Sequence, residues 1–351
     1  MRRISHALIT AASRSASLAR LASGLDRHTP HAPWSLPVLT YHRVDRSQSP
    51  SDLDPILLSA TPEVFAEHVR LIATEYHPLG LDELLHVRAA QSALPKRPVL
   101  LTFDDAYQDF AMYAWPILQR HGVPATLFVP TAYADNTSAG EFWWDRLYRA
   151  FDRTARTDQI NTQLGEFPLN SAALRYAACR NLAERLKGLD HDVAMRIVEH
   201  LLQALGPPQP VRSVLSWNDL RRLADEGVTV APHSRTHPML DRLPRARVEE
   251  EVNGSRSDIQ VAIGGCPPVF CYPAGQRSIL VEEVVCDAGF SLAFTTEPGH
   301  NDVRSAEWLR LRRINVSPRV TPSVLRALLN PVSARLLRLL VRVRANARAP
   351  G

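Results

Sequence analysis

The sequence predicts an α/β fold, a barrel-like parallel sheet carrying a helical insertion, and three observations predict it. Short, nearly uninterrupted apolar segments at Val38 to His42, Val99 to Phe103 and Ala125 to Val129 read as strands covered on both faces. Helix-prone segments separate such strands along the chain, the alternation that produces parallel sheets. The 351 residues also exceed the roughly 250 of an ordinary barrel, which leaves length for an elaboration.

In chain order, Pro30, Pro33 and Pro37 mark a linker, so the folded domain is expected to begin near residue 36. Thr61-Pro62-Glu63 combines an N-cap residue, a proline at the first helical position and an early acid, and predicts a helix towards Tyr76. The strand at Val99 runs into Asp104-Asp105, and a helix through Trp115 to Arg120 precedes the strand at Ala125. Further strands are expected at Val228 to Ala231, Val269 to Tyr272 and Leu292 to Thr295, with helices at Trp217 to Glu226, Arg247 to Val261 and Val281 to Ala288. The polar, helix-prone stretch 141–205, closed by Gly206-Pro207-Pro208, is too long for a connection and reads as a helical insertion. Trp143, Trp144 and Asp145 open it, and packing of that helix on its domain is favoured over a sugar-stacking surface.

Apolar residues make up 45% and charged residues 22%, which excludes a disordered or fibrous chain. The 41 Lys and Arg against 36 Asp and Glu leave a net charge of +5, placed mainly at the ends, and no nucleic-acid partner is expected. Residues 1–35 form a basic segment whose apolar centre, Ala7 to Ala12, is short for a secretory signal. Residues 321–351 are expected to form a basic amphipathic helix, with Leu336, Leu340 and Val343 among Arg338, Arg342 and Arg344, packed on its own domain or making a peripheral membrane contact. The four cysteines show no CxxC spacing and no apolar run approaches the roughly 20 residues of a membrane span. A cytoplasmic location or one peripheral to the membrane is expected, with secretion or the periplasm left open.

Two motifs carry chemistry. Asp104 and Asp105 end a buried strand, where barrel catalytic groups are mounted, but both serve one site only if the backbone turns there. Such a pair is also a common turn or helix cap. His233 and His237 follow the strand at Val228, and four-residue spacing on a helical turn would aim both rings at one metal. Two histidines and one carboxylate are the protein ligands of an open, catalytic site. Phe270 to Gly275, containing Tyr272-Pro273, alone would read as a strand terminator.

Together, Thr102-Phe103-Asp104-Asp105, His-Ser-x-x-His at 233–237 and Tyr-Pro-x-Gly at 272–275 resemble the polysaccharide deacetylase family, also called NodB-homology or carbohydrate esterase 4, over roughly residues 36–320. The resemblance implies a distorted (β/α) barrel and removal of N-acetyl groups from amino sugars of a polysaccharide or glycan intermediate. It implies Asp104 as general base, a divalent metal such as zinc on Asp105, His233 and His237, and an oxyanion donor at the backbone near Tyr272 and Pro273.

Two departures stand out. The family's base-orienting Arg is replaced by Phe270-Cys271, which leaves Arg313 as a substitute. The usual Leu-x-His element is missing, so His42 is taken as the general acid over His300, because Leu39 to His42 resembles the corresponding strand of the family's circularly permuted branch, which acts on poly-N-acetylglucosamine. The alternatives are a non-catalytic glycan-binding or assembly protein on the same barrel, and a deacylase of a lipid-linked or nucleotide sugar.

Overall fold

The computed structural model describes residues 33–46, 52–135 and 141–335. Residues 1–32, and the residues after 335 of the basic helix expected over 321–351, lie outside the described residues. The chain begins with β1 (Ser35–Leu36), β2 (Val38–Tyr41), β3 (Arg43–Val44) and β4 (Leu58–Ala60). Helix α1 (Pro62–Glu75) starts where its signals predict, with Thr61 Oγ1 accepting the Val64 amide and Pro62 at the first position. Then come β5 (His77–Leu79), α2 (Leu81–Ala90), β6 (Pro98–Phe103), α3 (Trp115–Arg120) and β7 (Thr126–Val129).

Between β7 and the next barrel strand stand α4 (Trp143–Arg153), β8 (Gln159–Thr162), β9 (Gly165–Pro168), α5 (Ala172–Leu186) and α6 (His191–Leu205). The hairpin β8–β9 departs from the all-helical reading. Its strands bury little more than the facing pair Ile160 and Phe167, so the period-2 signal is hidden among polar neighbours. The barrel resumes with α7 (Trp217–Asp225), β10 (Thr229–Pro232), α8 (Arg245–Ile263), β11 (Val269–Cys271), α9 (Ile279–Asp287), β12 (Leu292–Pro298), β13 (Asn301–Asp302), β14 (Leu311–Asn315) and α10 (Pro322–Leu329).

The main sheet runs β10-β7-β6-β2-β14-β12-β11, with β5 also on β6, and every pairing in it is parallel. Its outer strands β10 and β11 lie beside each other, so the barrel is nearly closed. Val38, Leu100, Phe128, Ala231, Cys271, Phe294 and Leu311 come from strands all round the sheet and meet in one cluster, the barrel interior. Their sequence neighbours Leu39, Leu101 and Leu127 belong instead to the core shared with Phe65, Val69 and Ile72 of α1. Burial on both faces explains why these strands read as continuous apolar runs. Among the described residues, no helix is long and apolar enough to cross a membrane.

Candidate active site

The residues singled out by the motifs converge at the C-terminal ends of β2, β6, β10 and β11, the barrel face on which such folds mount their chemistry. Asp104 and Asp105 follow β6, and their backbone turns: Asp105 has φ 72° and Ala106 φ 50°, left-handed values that non-glycine residues adopt at a cost. That turn lets both carboxylates serve one site.

Arg313, on β14, is buried in the barrel and grips Asp104 with both prongs, Nη1 to Oδ1 and Nη2 to Oδ2, each at 2.7 Å. Its Nε donates to the Thr295 carbonyl at 2.8 Å and Nη1 also reaches Thr102 Oγ1 at 3.2 Å. A planar guanidinium matches a carboxylate in this way, and a buried charge is tolerable only when so paired. Burial pushes the Asp104 carboxyl up, but Arg313, helped by His233 and His42, outweighs it and holds the group below the usual carboxylate range. Cys271 Sγ lies 3.8 Å from Asp104 Oδ1, and burial pushes that thiol far up, so it stays neutral beside the base. His42, just past β2, brings Nε2 to 3.9 Å from Asp104 Oδ2, and its side chain is 18% exposed.

Asp105 is shifted in the opposite direction. Burial, then the neighbouring Asp104 and Asp145, push its carboxyl well up, and its Oδ1 is buried with no hydrogen-bond partner among the described residues. That oxygen faces His237 Nε2 at 3.4 Å and His233 Nε2 at 3.7 Å. His233 Nδ1 donates to the Cys271 carbonyl at 2.7 Å, across the seam between β10 and β11, which leaves the Nε2 lone pair for the site. Burial lowers the pKa of both imidazoles, and His233 lowers that of His237 further, so both rings are neutral. One ligand atom from each of Asp105, His233 and His237 falls within 4.8 Å of the others. An orphaned carboxylate oxygen facing two neutral imidazoles fits a divalent cation. Asp104, His233 and Cys271 also cluster, but Asp104 is already taken by Arg313.

The His233 to His237 segment is not the helical turn expected. Ser234 and His237 have φ 62° and 56°, and Ser234 Oγ accepts the His237 amide. Glu251 of α8 accepts the amides of Arg235 and Thr236 at 2.8 Å each. A bend braced by a helix carboxylate, rather than helical spacing, aims the two rings together.

The other residues singled out in the sequence are placed as follows. The Tyr272 amide, just past β11, donates to the Phe294 carbonyl and its hydroxyl to Leu309 O, so both groups of Tyr272 are already committed, while the buried Pro273 has no N–H to offer. His300 places Nε2 3.3 Å from the Leu329 carbonyl, whereas His42 is the histidine beside Asp104. Trp143 and Trp144 are buried, which favours packing over sugar stacking. Gly275 closes the turn after Pro273 with φ 70°, and a Cβ there would overlap Thr296 Oγ1 and its backbone N. Gly275→Ala is therefore expected to lower stability by about 1–3 kcal/mol or more, read by urea unfolding, with no change in the order of the site's elements.

A parallel barrel whose strand ends gather two carboxylates, two buried histidines and a further histidine–carboxylate contact has the makeup of a hydrolase site. Residues 91–293 match the family described as polysaccharide deacetylase, and the chain belongs to that family of carbon–nitrogen hydrolases. It is 30% identical over 96 residues to the poly-beta-1,6-N-acetyl-D-glucosamine N-deacetylase of Escherichia coli strain K12, a match covering 26% of this chain and 14% of that protein. The chain thus spans about a seventh of that relative's length. The Streptococcus pyogenes deacetylase PplD, solved with acetate, superposes with a TM-score of 0.59 at 18% identity, covering 86% of this chain and 100% of that one. The BpsB deacetylase domain of Bordetella bronchiseptica gives 0.53 at 20% identity, with 82% and 98% covered. These structural likenesses are of fold.

Proposed function

We propose that the chain is a metal-dependent deacetylase that removes N-acetyl groups from amino sugars of a polysaccharide, poly-N-acetylglucosamine being the class named by its Escherichia coli relative. The observation that carries this reading is the contrast between adjacent carboxylates. Asp104 is locked in its charged form on Arg313, while Asp105 presents an unpartnered oxygen to two neutral imidazoles.

Asp105, His233 and His237 would hold the cation, with zinc expected from the imidazole and carboxylate donors. When bound, a divalent ion polarises an amide oxygen and acidifies water, chemistry that suits a base as weak as Asp104. Asp104 accepts the proton of the water that attacks the acetamide carbon, and Arg313 fixes the direction of its lone pairs. His42, on the solvent side of Asp104, donates a proton to the sugar nitrogen as the carbon–nitrogen bond breaks. Acetate and a free amine result.

The test is acetate release from N-acetylglucosamine oligomers before and after chelation. Activity lost with the chelator and regained with zinc supports the reading. Activity untouched by metal removal sinks it, and glycan binding with no acetate under any metal would instead favour a non-catalytic glycan-binding protein.

A further inference from the structure

The two histidines are held in different ways. His233 is oriented by its hydrogen bond to the Cys271 carbonyl, whereas His237 Nδ1 is buried with no hydrogen-bond partner among the described residues. A ligating imidazole ordinarily needs such a bond to fix its ring. What His237 has is aromatic packing from the insertion: the Trp144 ring centroid lies 4.9 Å away at 64°, and Phe142, stacked on Trp144 at 4.3 Å and 9°, lies 6.1 Å from the same imidazole.

Trp144 is itself pinned. Its Nε1 donates to the Tyr107 hydroxyl at 2.9 Å, and that hydroxyl donates to Asp145 Oδ2 at 2.7 Å. Asp145 Oδ1 accepts the Asp54 amide at 2.8 Å, so the chain of bonds ends on the main chain. All three side chains are buried, and Tyr107 sits two residues beyond Asp105. The network therefore packs on His237 and starts two residues beyond Asp105.

We propose that Trp144, anchored through Tyr107 to Asp145, is the positioning residue of His237, holding by packing a ring whose Nδ1 has no hydrogen-bond partner among the described residues. The insertion is then a working part of the metal centre. This rests on the metal reading above.

The test is zinc affinity by chelator competition, with thermal melting, for His237→Ala, Tyr107→Phe, Trp144→Phe and Leu182→Ala, the last altering the insertion's core far along α5. His237→Ala must weaken binding; if it does not, the metal reading fails. With that control in place, Tyr107→Phe and Trp144→Phe are expected to weaken zinc binding about 10- to 100-fold, as loss of outer partners does, while Leu182→Ala lowers the melting temperature without changing affinity. Wild-type affinity in Tyr107→Phe and Trp144→Phe, or an equal loss in Leu182→Ala, overturns the proposal.

Discussion

Asp104→Asn is expected to cut acetate release by about 10²- to 10⁴-fold, the usual contribution of a positioned base, with bound metal unchanged. The side chain keeps its shape and one acceptor for Arg313 but cannot take up a proton. Arg313, buried at 1% exposure, then lacks its counter-charge, and removing one partner of a buried pair costs up to about 3–5 kcal/mol. Rates are therefore to be read alongside urea unfolding, so that loss of chemistry is separated from loss of folded protein. A folded, metal-loaded variant with wild-type turnover would remove Asp104 from the reaction.

Arg313→Met is expected to be the most destabilising change in the site, about 3–5 kcal/mol at neutral pH, and to reverse the pH response. In the native protein Asp104 has a folded pKa below its unfolded value of about 3.9, so its stabilising contribution is complete above that value and is lost as pH falls towards the folded one. Without Arg313 burial dominates and the folded pKa rises above the unfolded value. The ionised carboxylate then destabilises at neutral pH, and acidification through the raised pKa should restore stability while abolishing turnover. Melting temperature and kcat/KM followed from pH 4 to 9 check both limbs. An unchanged acid limb in kcat/KM would show that Arg313 does not set the state of Asp104.

Much of this was legible because its groups sit in contiguous segments at strand ends. Asp104-Asp105 and His233 to His237 are such segments, and the strands before them, buried on both faces, are unmistakable apolar runs. His42 was reachable by one further step, since β2 and β6 are neighbours in the sheet. Arg313 is a candidate on a strand that leaves no apolar signal: Leu-Arg-Arg-Ile-Asn reads as polar, although Leu311, Arg313 and Ile314 are buried. The Tyr272 amide, one residue past β11, is bonded to the Phe294 carbonyl, a pairing that spacing does not reveal. Nor could sequence link Tyr107 to Asp145 or Trp144 to His237, contacts made across the barrel mouth by residues tens to about a hundred positions apart.

The most direct test of the central claim is metal content and acetate release measured together on the purified wild-type chain and Asp105→Ala. The account predicts one tightly held divalent ion and acetate from N-acetylglucosamine oligomers in the wild type, and loss of both in the variant. An Asp105→Ala protein that keeps its metal and its activity would contradict it.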